Sequence, residues 1–368
     1  MTVSSVPTTR LIPGPRFSRF LRCAFGILLC VSFGLASEGV AQEASTSPPT
    51  DFSPGDATSQ PNIFSPVSTP AEVVEDLSWL VLAVTACIFF VVFAVLTITI
   101  IRFRVRSGDD DREPPQIYGS NPIELAWTVV PILIVAVLTL VTVRSLYALD
   151  KKEPPEGSLE VIVVGHQWWW EFRYPELGII TANELHVPVD RVTFLRLASA
   201  DVVHSFWVPE LAGKTDVVPN RLNHMWIEPH KTGLFVGQCA EFCGTQHANM
   251  LLRVEVQAEE DFAAWVANQQ KPAREDPSVA EGRETFQQIA CINCHNSEGT
   301  VATGVFGPDL THLMSRETIG SGSVLLTPEN LHEWVKNPQQ FKDGCLMPDM
   351  QLEPHQVDSI TRYLLSLD

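Results

Sequence analysis

Between Gly237 and Met250 the chain reads GQCAEFCGTQHANM. Cys239 and Cys243 stand four apart, His247 follows four residues later, and Met250 three after that. A disulfide, a zinc site, a thiol-redox pair and a copper centre all use residues of this kind at close spacing. Zinc takes four nitrogen or sulfur ligands in a closed tetrahedron, and a thioether is a poor zinc ligand. Thiolate, imidazole and thioether together are a copper set. A single blue-copper site uses one Cys, two His and an axial Met, but this loop holds two Cys. A second histidine, His204, occurs in DVVHSFWVPEL, where it is expected at the end of an earlier strand. Two thiolates can bridge two copper ions, each of which then needs one imidazole and one weak ligand. His204, His247, Met250 and the backbone carbonyl of Glu241 meet that count. A Cys239–Cys243 disulfide is the main competing reading.

A second constellation is CINCH, Cys291–His295. C-x-x-C alone is ambiguous between redox, zinc and haem chemistry. The adjacent histidine, in an exported chain, points to covalently bound haem c, with Cys291 and Cys294 forming thioethers and His295 as the proximal ligand. His/Met ligation suits electron transfer because it raises the potential. GCLMPDM offers Met347 and Met350 for the far side of the iron, with Met314 and His312 as weaker rivals. Cys345 reads as a buried small apolar side chain.

These groups must be held by the elements around them. The chain has 368 residues and a net charge of -18, which argues against nucleic acid as a partner. Residues 1–41 carry arginines, then an apolar run, then small residues, the pattern of a secretory signal peptide. Residues 42–76 read as an exposed tail. Residues 77–101 and 125–149 read as two transmembrane helices; the 25-residue first run would rise about 37 Å, and Pro131 is expected to kink the second. The loop 102–124 carries Arg102, Arg104, Arg106 and Arg112, which places it in the cytoplasm and everything after Asp150 outside. Glu124 opens the second span. Read on physics alone it is an acid suited to the positive end of the helix; the functional reading is a proton-entry carboxylate at a membrane boundary.

From residue 150 to 262 short runs rich in Val, Leu, Phe and Ile, separated by Pro and Gly turns, predict an antiparallel sandwich or barrel. Residues 263–275 read as a linker and 276–368 as a small helical domain around CINCH. The fold class is therefore a multi-domain membrane protein: a two-helix hairpin, an all-β sandwich and an all-α domain.

Residues 71–257, through GHQWWWEF, HSFWVPEL, GKTDVVPNRLN and the two-cysteine loop, resemble cytochrome c oxidase subunit II. The C-terminal segment resembles class I cytochromes c, so the whole looks like the caa-type fusion. That resemblance implies a cupredoxin fold and a binuclear CuA centre. It pairs His204 with Met250 on one copper and His247 with the Glu241 carbonyl on the other. It implies a magnesium site shared with subunit I through the Glu241 side chain. It maps the point where electrons enter the copper domain onto Trp168, and a proton-uptake carboxylate onto Glu124. Because the cytochrome ligand Met commonly precedes Pro, it points to Met347. The family has Trp-Tyr-Trp where this chain has Trp168, Trp169 and Trp170, and usually Gly where this chain has Asn220, a residue that tolerates positive φ.

The implied function is electron input to a proton-translocating oxidase: an external donor such as cytochrome c reduces the haem, the electron passes to CuA and on to subunit I, where oxygen is reduced. The implied location is the bacterial inner membrane, with the C-terminal domains on the periplasmic side and the other oxidase subunits as partners. The alternative is the input subunit of a CuA-containing nitric oxide reductase. A membrane-anchored copper chaperone would show a thioredoxin-like pattern of alternating helices, which is missing. A quinol oxidase subunit is excluded by the intact copper ligand set.

Overall fold

The structure is a computed structural model that describes residues 61–105 and 116–368. The expected signal peptide, residues 42–60 of the expected tail and the arginines at 106 and 112 lie outside the described residues.

Two long helices lead the described chain, α1 (Thr69–Arg102) and α2 (Asn121–Leu149). Both are long and apolar enough to cross a membrane, and their apolar side chains are exposed all round. A helix apolar on every face needs lipid or other helices around it. α1 begins eight residues before the uncharged run at Leu77, because its first turns belong to the outer domain. Ser68 forms a bridge with Pro229 and accepts the Glu228 N–H, and the Thr69 hydroxyl donates to Glu228 at 2.7 Å. α2 runs through Pro131 without breaking. At its far end the Trp226 indole N–H donates to the Leu149 carbonyl at 2.9 Å, and Lys151 lies over the same ring at 3.3 Å. Both helices are thereby tied to the outer domain at their ends.

That domain is a β-sandwich of ten strands: β1 (Leu159–His166), β2 (Trp169–Tyr174), β3 (Ile179–Ala182), β4 (Glu184–Pro188), β5 (Thr193–Ser199), β6 (His204–Trp207), β7 (Thr215–Val217), β8 (Asn223–Ile227), β9 (Gly233–Cys239) and β10 (Leu251–Gln257). One sheet has the order β3-β2-β1-β5-β8, the other β4-β10-β9-β6-β7. The sandwich is mixed, not antiparallel as expected: β1 pairs β5 and β10 pairs β4 in parallel. Alternation along a strand fixes which side chains face inward, but it carries no information about a neighbour reached by a crossover. The core lies between the sheets, with Trp170, Phe172, Leu195, Leu197, Phe206 and Met250 fully buried. Asn220 has φ of +59°, the left-handed conformation anticipated at the position where the family has Gly.

Helix α3 (Glu259–Gln269) follows, with acids in its first turn. Phe262 is buried in the sandwich core, and Trp265 stacks on His186 with centroids 4.4 Å apart. Most of the segment read as linker is therefore packed helix. The C-terminal domain has α4 (Ala280–Gln288), a single turn α5 (Cys291–Cys294), α6 (Pro328–Lys336) and α7 (Pro354–Leu364). The expected all-α domain also holds a short ribbon, β11 (Thr318–Ile319) with β12 (Val324–Leu325). α4 crosses α7, where Phe286 meets Tyr363 with centroids 5.5 Å apart.

Candidate metal centre

β9 ends at Cys239, and the loop after it doubles back through Cys243, His247 and Met250 before β10 begins. The two sulfurs lie 3.8 Å apart and both cysteines are free, so the competing disulfide is not formed. His204 opens β6 and does not close an earlier strand as expected. β6 lies beside β9, which brings His204 Nδ1 within 3.9 Å of Cys239 Sγ. His247 Nδ1 is 3.7 Å from Cys243 Sγ, Met250 Sδ is 3.8 Å from it, and the Glu241 carbonyl is 3.2 Å from Cys239 Sγ. All six groups singled out in the sequence thus converge, and five of them span only Cys239 to Met250. The Glu241 side chain faces away, with Lys214 Nζ at 4.0 Å.

The donor chemistry fits a soft cationic centre. Hydrogen bonding with Cys243 pulls the Cys239 thiol well below its ordinary range, while the same contact and burial push Cys243 up. Two thiols this close cannot both ionise without positive charge between them. Burial opposes charging of His204, but Asp201 and Cys239 outweigh it and hold the imidazole above its usual range. Asp201, which the sequence reading missed, accepts from His204 Nε2 at 2.8 Å and so leaves Nδ1 facing the sulfurs. It is the carboxylate behind the ligand that buried metal-binding histidines ordinarily have. Its only sequence signal is its place three residues before His204.

The three tryptophans divide their work. Trp170 is in the core, edge-on to Phe206 and His204. Trp169 stacks on His166 with centroids 4.2 Å apart. Trp168 sits in the β1–β2 turn, and its indole N–H donates to the Cys243 carbonyl at 3.0 Å. Gln167 Nε2 donates to the same oxygen at 2.8 Å. Gly244 has φ of +118°, and a Cβ there would stand 2.9 Å from the Trp168 ring, so the copper loop closes on this indole only with glycine.

The haem constellation lines an apolar cavity that Cys291, Cys294, His295, Met347 and Met350 share. His295 Nδ1 is 2.7 Å from the Pro308 carbonyl, so Nδ1 carries the proton and Nε2 is left as a ligand atom. A Cβ on Gly307 would lie 2.7 Å from the ring, so the loop grips the imidazole as only glycine allows. Burial holds His295 below the ordinary histidine range, in its neutral, ligand-competent form. Of the rival far-side ligands, His312 is spent elsewhere, its ring nitrogens facing the Asp368 and Lys271 carbonyls at 3.0 and 2.9 Å. Met314 is not on the cavity wall. Cys345 is on that wall and only half-buried, with Gln339 Nε2 3.2 Å from its sulfur; the expectation of a buried apolar thiol is corrected, because the loop leaves the sulfur on the cavity wall beside a polar amide that also donates to the Cys345 and Met347 carbonyls.

The cavity is not closed by the C-terminal domain alone: Gln167, Trp168, Trp169 and Asn183 of the sandwich complete its wall. The two domains meet across a dense polar seam. The Glu184 carboxylate accepts from the Glu317 and Thr318 N–H groups and from the Thr318 hydroxyl at 2.6 Å. Arg253 pairs with Glu317 at 2.8 Å. Leu251 N–H donates to the Ser321 carbonyl at 3.1 Å, and the Ser321 hydroxyl donates back to the Leu251 carbonyl at 2.9 Å. Lys342, only 3% exposed, donates to the carbonyls of Trp168, Asn249 and Gly320 at 2.8, 2.8 and 2.9 Å. Burial pushes its ammonium down to about 7, yet only the protonated form can donate to all three. Nothing in the polar stretch QQFKDG marks this lysine in the sequence.

Glu124 lies in the first turn of α2, exposed, with its carboxylate accepting from the Ser120 N–H at 3.2 Å. An acid in this place faces the positive end of the helix.

Comparison with known proteins agrees with this architecture. Residues 57–146 match the transmembrane domain of cytochrome c oxidase subunit II, residues 178–257 its periplasmic domain, and residues 279–368 the cytochrome c family. Cytochrome c oxidase subunit 2 of Alkalihalophilus pseudofirmus is 35% identical over 313 residues, covering 83% of this chain and 90% of that protein. Quinol oxidase subunit 2 of Bacillus subtilis is 35% identical over 219 residues, covering 58% of this chain and 68% of that one. Among solved structures, the periplasmic domain of subunit II of cytochrome oxidase of Bradyrhizobium japonicum is 34% identical and covers 32% of this chain and 97% of its own, with a TM-score of 0.31. The relatives do not favour the nitric oxide reductase alternative. With a membrane hairpin, a cupredoxin-like sandwich carrying the two-cysteine loop, and a haem-type domain behind it, the chain belongs to the cytochrome c oxidase subunit II family, in the form fused to a cytochrome c domain.

Proposed function

We propose that this subunit carries electrons singly from an external donor to oxidase subunit I along a path built within one chain. Cys291 and Cys294 would hold the haem c covalently, with His295 and Met347 as the side chains that ligate it. Cys239, Cys243, His204, His247, Met250 and the Glu241 carbonyl would hold a CuA centre. When bound, these groups take up and release one electron at a time, which is the chemistry a relay to an oxygen-reducing partner requires.

The chain's own residues supply position and environment. Pro308 fixes the His295 tautomer, and Asp201 fixes that of His204. The sandwich contributes Gln167, Trp168, Trp169 and Asn183 to the cavity wall. The observation that carries the reading is Trp168: one indole lines the haem cavity and also donates to the Cys243 carbonyl at 3.0 Å. A single side chain thus spans from one cofactor pocket to the other. The Glu241 carboxylate, exposed beside Lys214, would face a magnesium ion shared with subunit I. The copper and haem domains would stand on the periplasmic side of a bacterial inner membrane, with loop 102–124 in the cytoplasm. Glu124 would take up protons from that side.

Flash reduction of the haem in the full oxidase, followed at the copper absorption band, tests the route. Trp168→Ala should slow haem-to-copper transfer by about tenfold or more, with both spectra unchanged. A wild-type rate in that variant overturns the route.

A further inference from the structure

Lys342 has no task in the path described above, yet it is among the most buried charged groups of the described residues. Among the described contacts its Nζ meets no carboxylate; it meets three backbone carbonyls. A buried ammonium is expensive to keep and is retained where its hydrogen bonds are complete. Here all three donors are used, each on a different segment. The Trp168 carbonyl belongs to the turn that carries the bridging indole. The Asn249 carbonyl belongs to the copper loop, one residue before Met250. The Gly320 carbonyl belongs to the β11–β12 turn of the cytochrome domain. Lys342 itself leads into the loop that carries Met347, five residues on. The next residue is held as well, with Gln246 Nε2 donating to the Asp343 carbonyl at 2.5 Å. Adhesion between the domains is already provided by Glu184 with Thr318 and by Arg253 with Glu317. Those contacts reach neither Trp168 nor the Met347 loop.

We propose that Lys342 is a positioning residue for the internal electron transfer: its ammonium locks the Trp168 turn, the copper loop and the cytochrome domain into one docked geometry. The inference rests on the electron route proposed above. In the step it serves, one electron moves and no bond forms or breaks; the donor is oxidised by one and the acceptor reduced by one.

The test uses the full detergent-solubilised oxidase with Lys342→Met, which keeps the length but has no donor, and Lys342→Gln, which keeps two. Hydrogen–deuterium exchange is read at Leu251, whose N–H donates to Ser321 across the seam, in copper-loaded and copper-stripped protein alike. Flash kinetics report the transfer rate. Lys342→Met should speed exchange at Leu251 and slow transfer, each about tenfold, with unchanged haem and copper spectra. Lys342→Gln should fall between it and wild type. Wild-type transfer in Lys342→Met overturns the proposal. If the Met variant does not assemble, Lys342→Gln decides alone, and a wild-type rate there overturns it. A normal rate in Trp168→Ala would remove the route itself, whereas slow Trp168→Ala beside normal Lys342→Met removes only the positioning role.

Discussion

Asp201 Oδ1 lies 2.8 Å from His204 Nε2, on the side of the imidazole opposite the two sulfurs. The contact sets which nitrogen faces Cys239 and which carries the proton. Carboxylates behind ligating histidines are typically worth about 10–100-fold in metal affinity. Asp201→Asn should therefore weaken copper retention by that factor in a chelator competition, with the sandwich still folded. Unchanged retention would mean that β6 alone orients the ring.

Two thiols 3.8 Å apart are placed to hold the copper pair proposed above, and such a pair would share one unpaired electron between its two ions. Electron paramagnetic resonance of the copper-loaded chain should show coupling to two copper nuclei. Cys239→Ser and Cys243→Ser should each abolish that signal, because one bridge cannot hold both metals. A four-line, single-copper spectrum in the wild type would sink the binuclear assignment.

Both Met347 and Met350 line the haem cavity, so the axial ligand is decided by substitution. Met347→Ala should remove the weak sulfur-to-iron band of the ferric form and lower the potential. Met350→Ala should leave both in place. The reverse pattern moves the ligand three residues along the loop.

Glu124→Gln keeps size and hydrogen bonding and removes the charge. Slower oxidase turnover, with haem and copper still fully reducible, is expected if the carboxylate takes up protons. Unchanged turnover across pH would leave Glu124 only its contact with the Ser120 N–H.

Burial raises the Glu171 carboxyl, but His166 and Arg173 outweigh it and hold it below the ordinary carboxylate range. The folded state therefore holds this proton less tightly than the unfolded chain does. The resulting stability is present above the ordinary carboxylate value of 4.5 and is lost as pH falls below it. Thermal unfolding followed by circular dichroism between about pH 3 and 6 should show a decline that Glu171→Gln flattens. An identical decline in the variant would assign the acid sensitivity to other carboxylates.

Most of each candidate site was legible in the sequence because those parts are local, whereas His204 reaches the loop only through the pairing of β6 with β9. Cys239, Glu241, Cys243, His247 and Met250 lie on one loop, and Cys291, Cys294 and His295 on one turn, so backbone reach alone brings each set together. The spans α1 and α2 were equally plain, because a membrane core demands an uninterrupted apolar length. Strand neighbours were not: β1 beside β5 and β10 beside β4 are parallel pairs, and the crossovers between them leave no trace in local alternation. Nor was Asp201 identified as the partner of His204, although it lies only three residues away, because aspartates near strand starts are common. Least visible of all was the seam between the domains. Glu184, Arg253, Glu317 and Lys342 look like ordinary surface charges in sequence. Only the tertiary structure buries Lys342 among the Trp168, Asn249 and Gly320 carbonyls. A charge acquires meaning from the partners that surround it after folding, and those partners come from segments far apart in the chain.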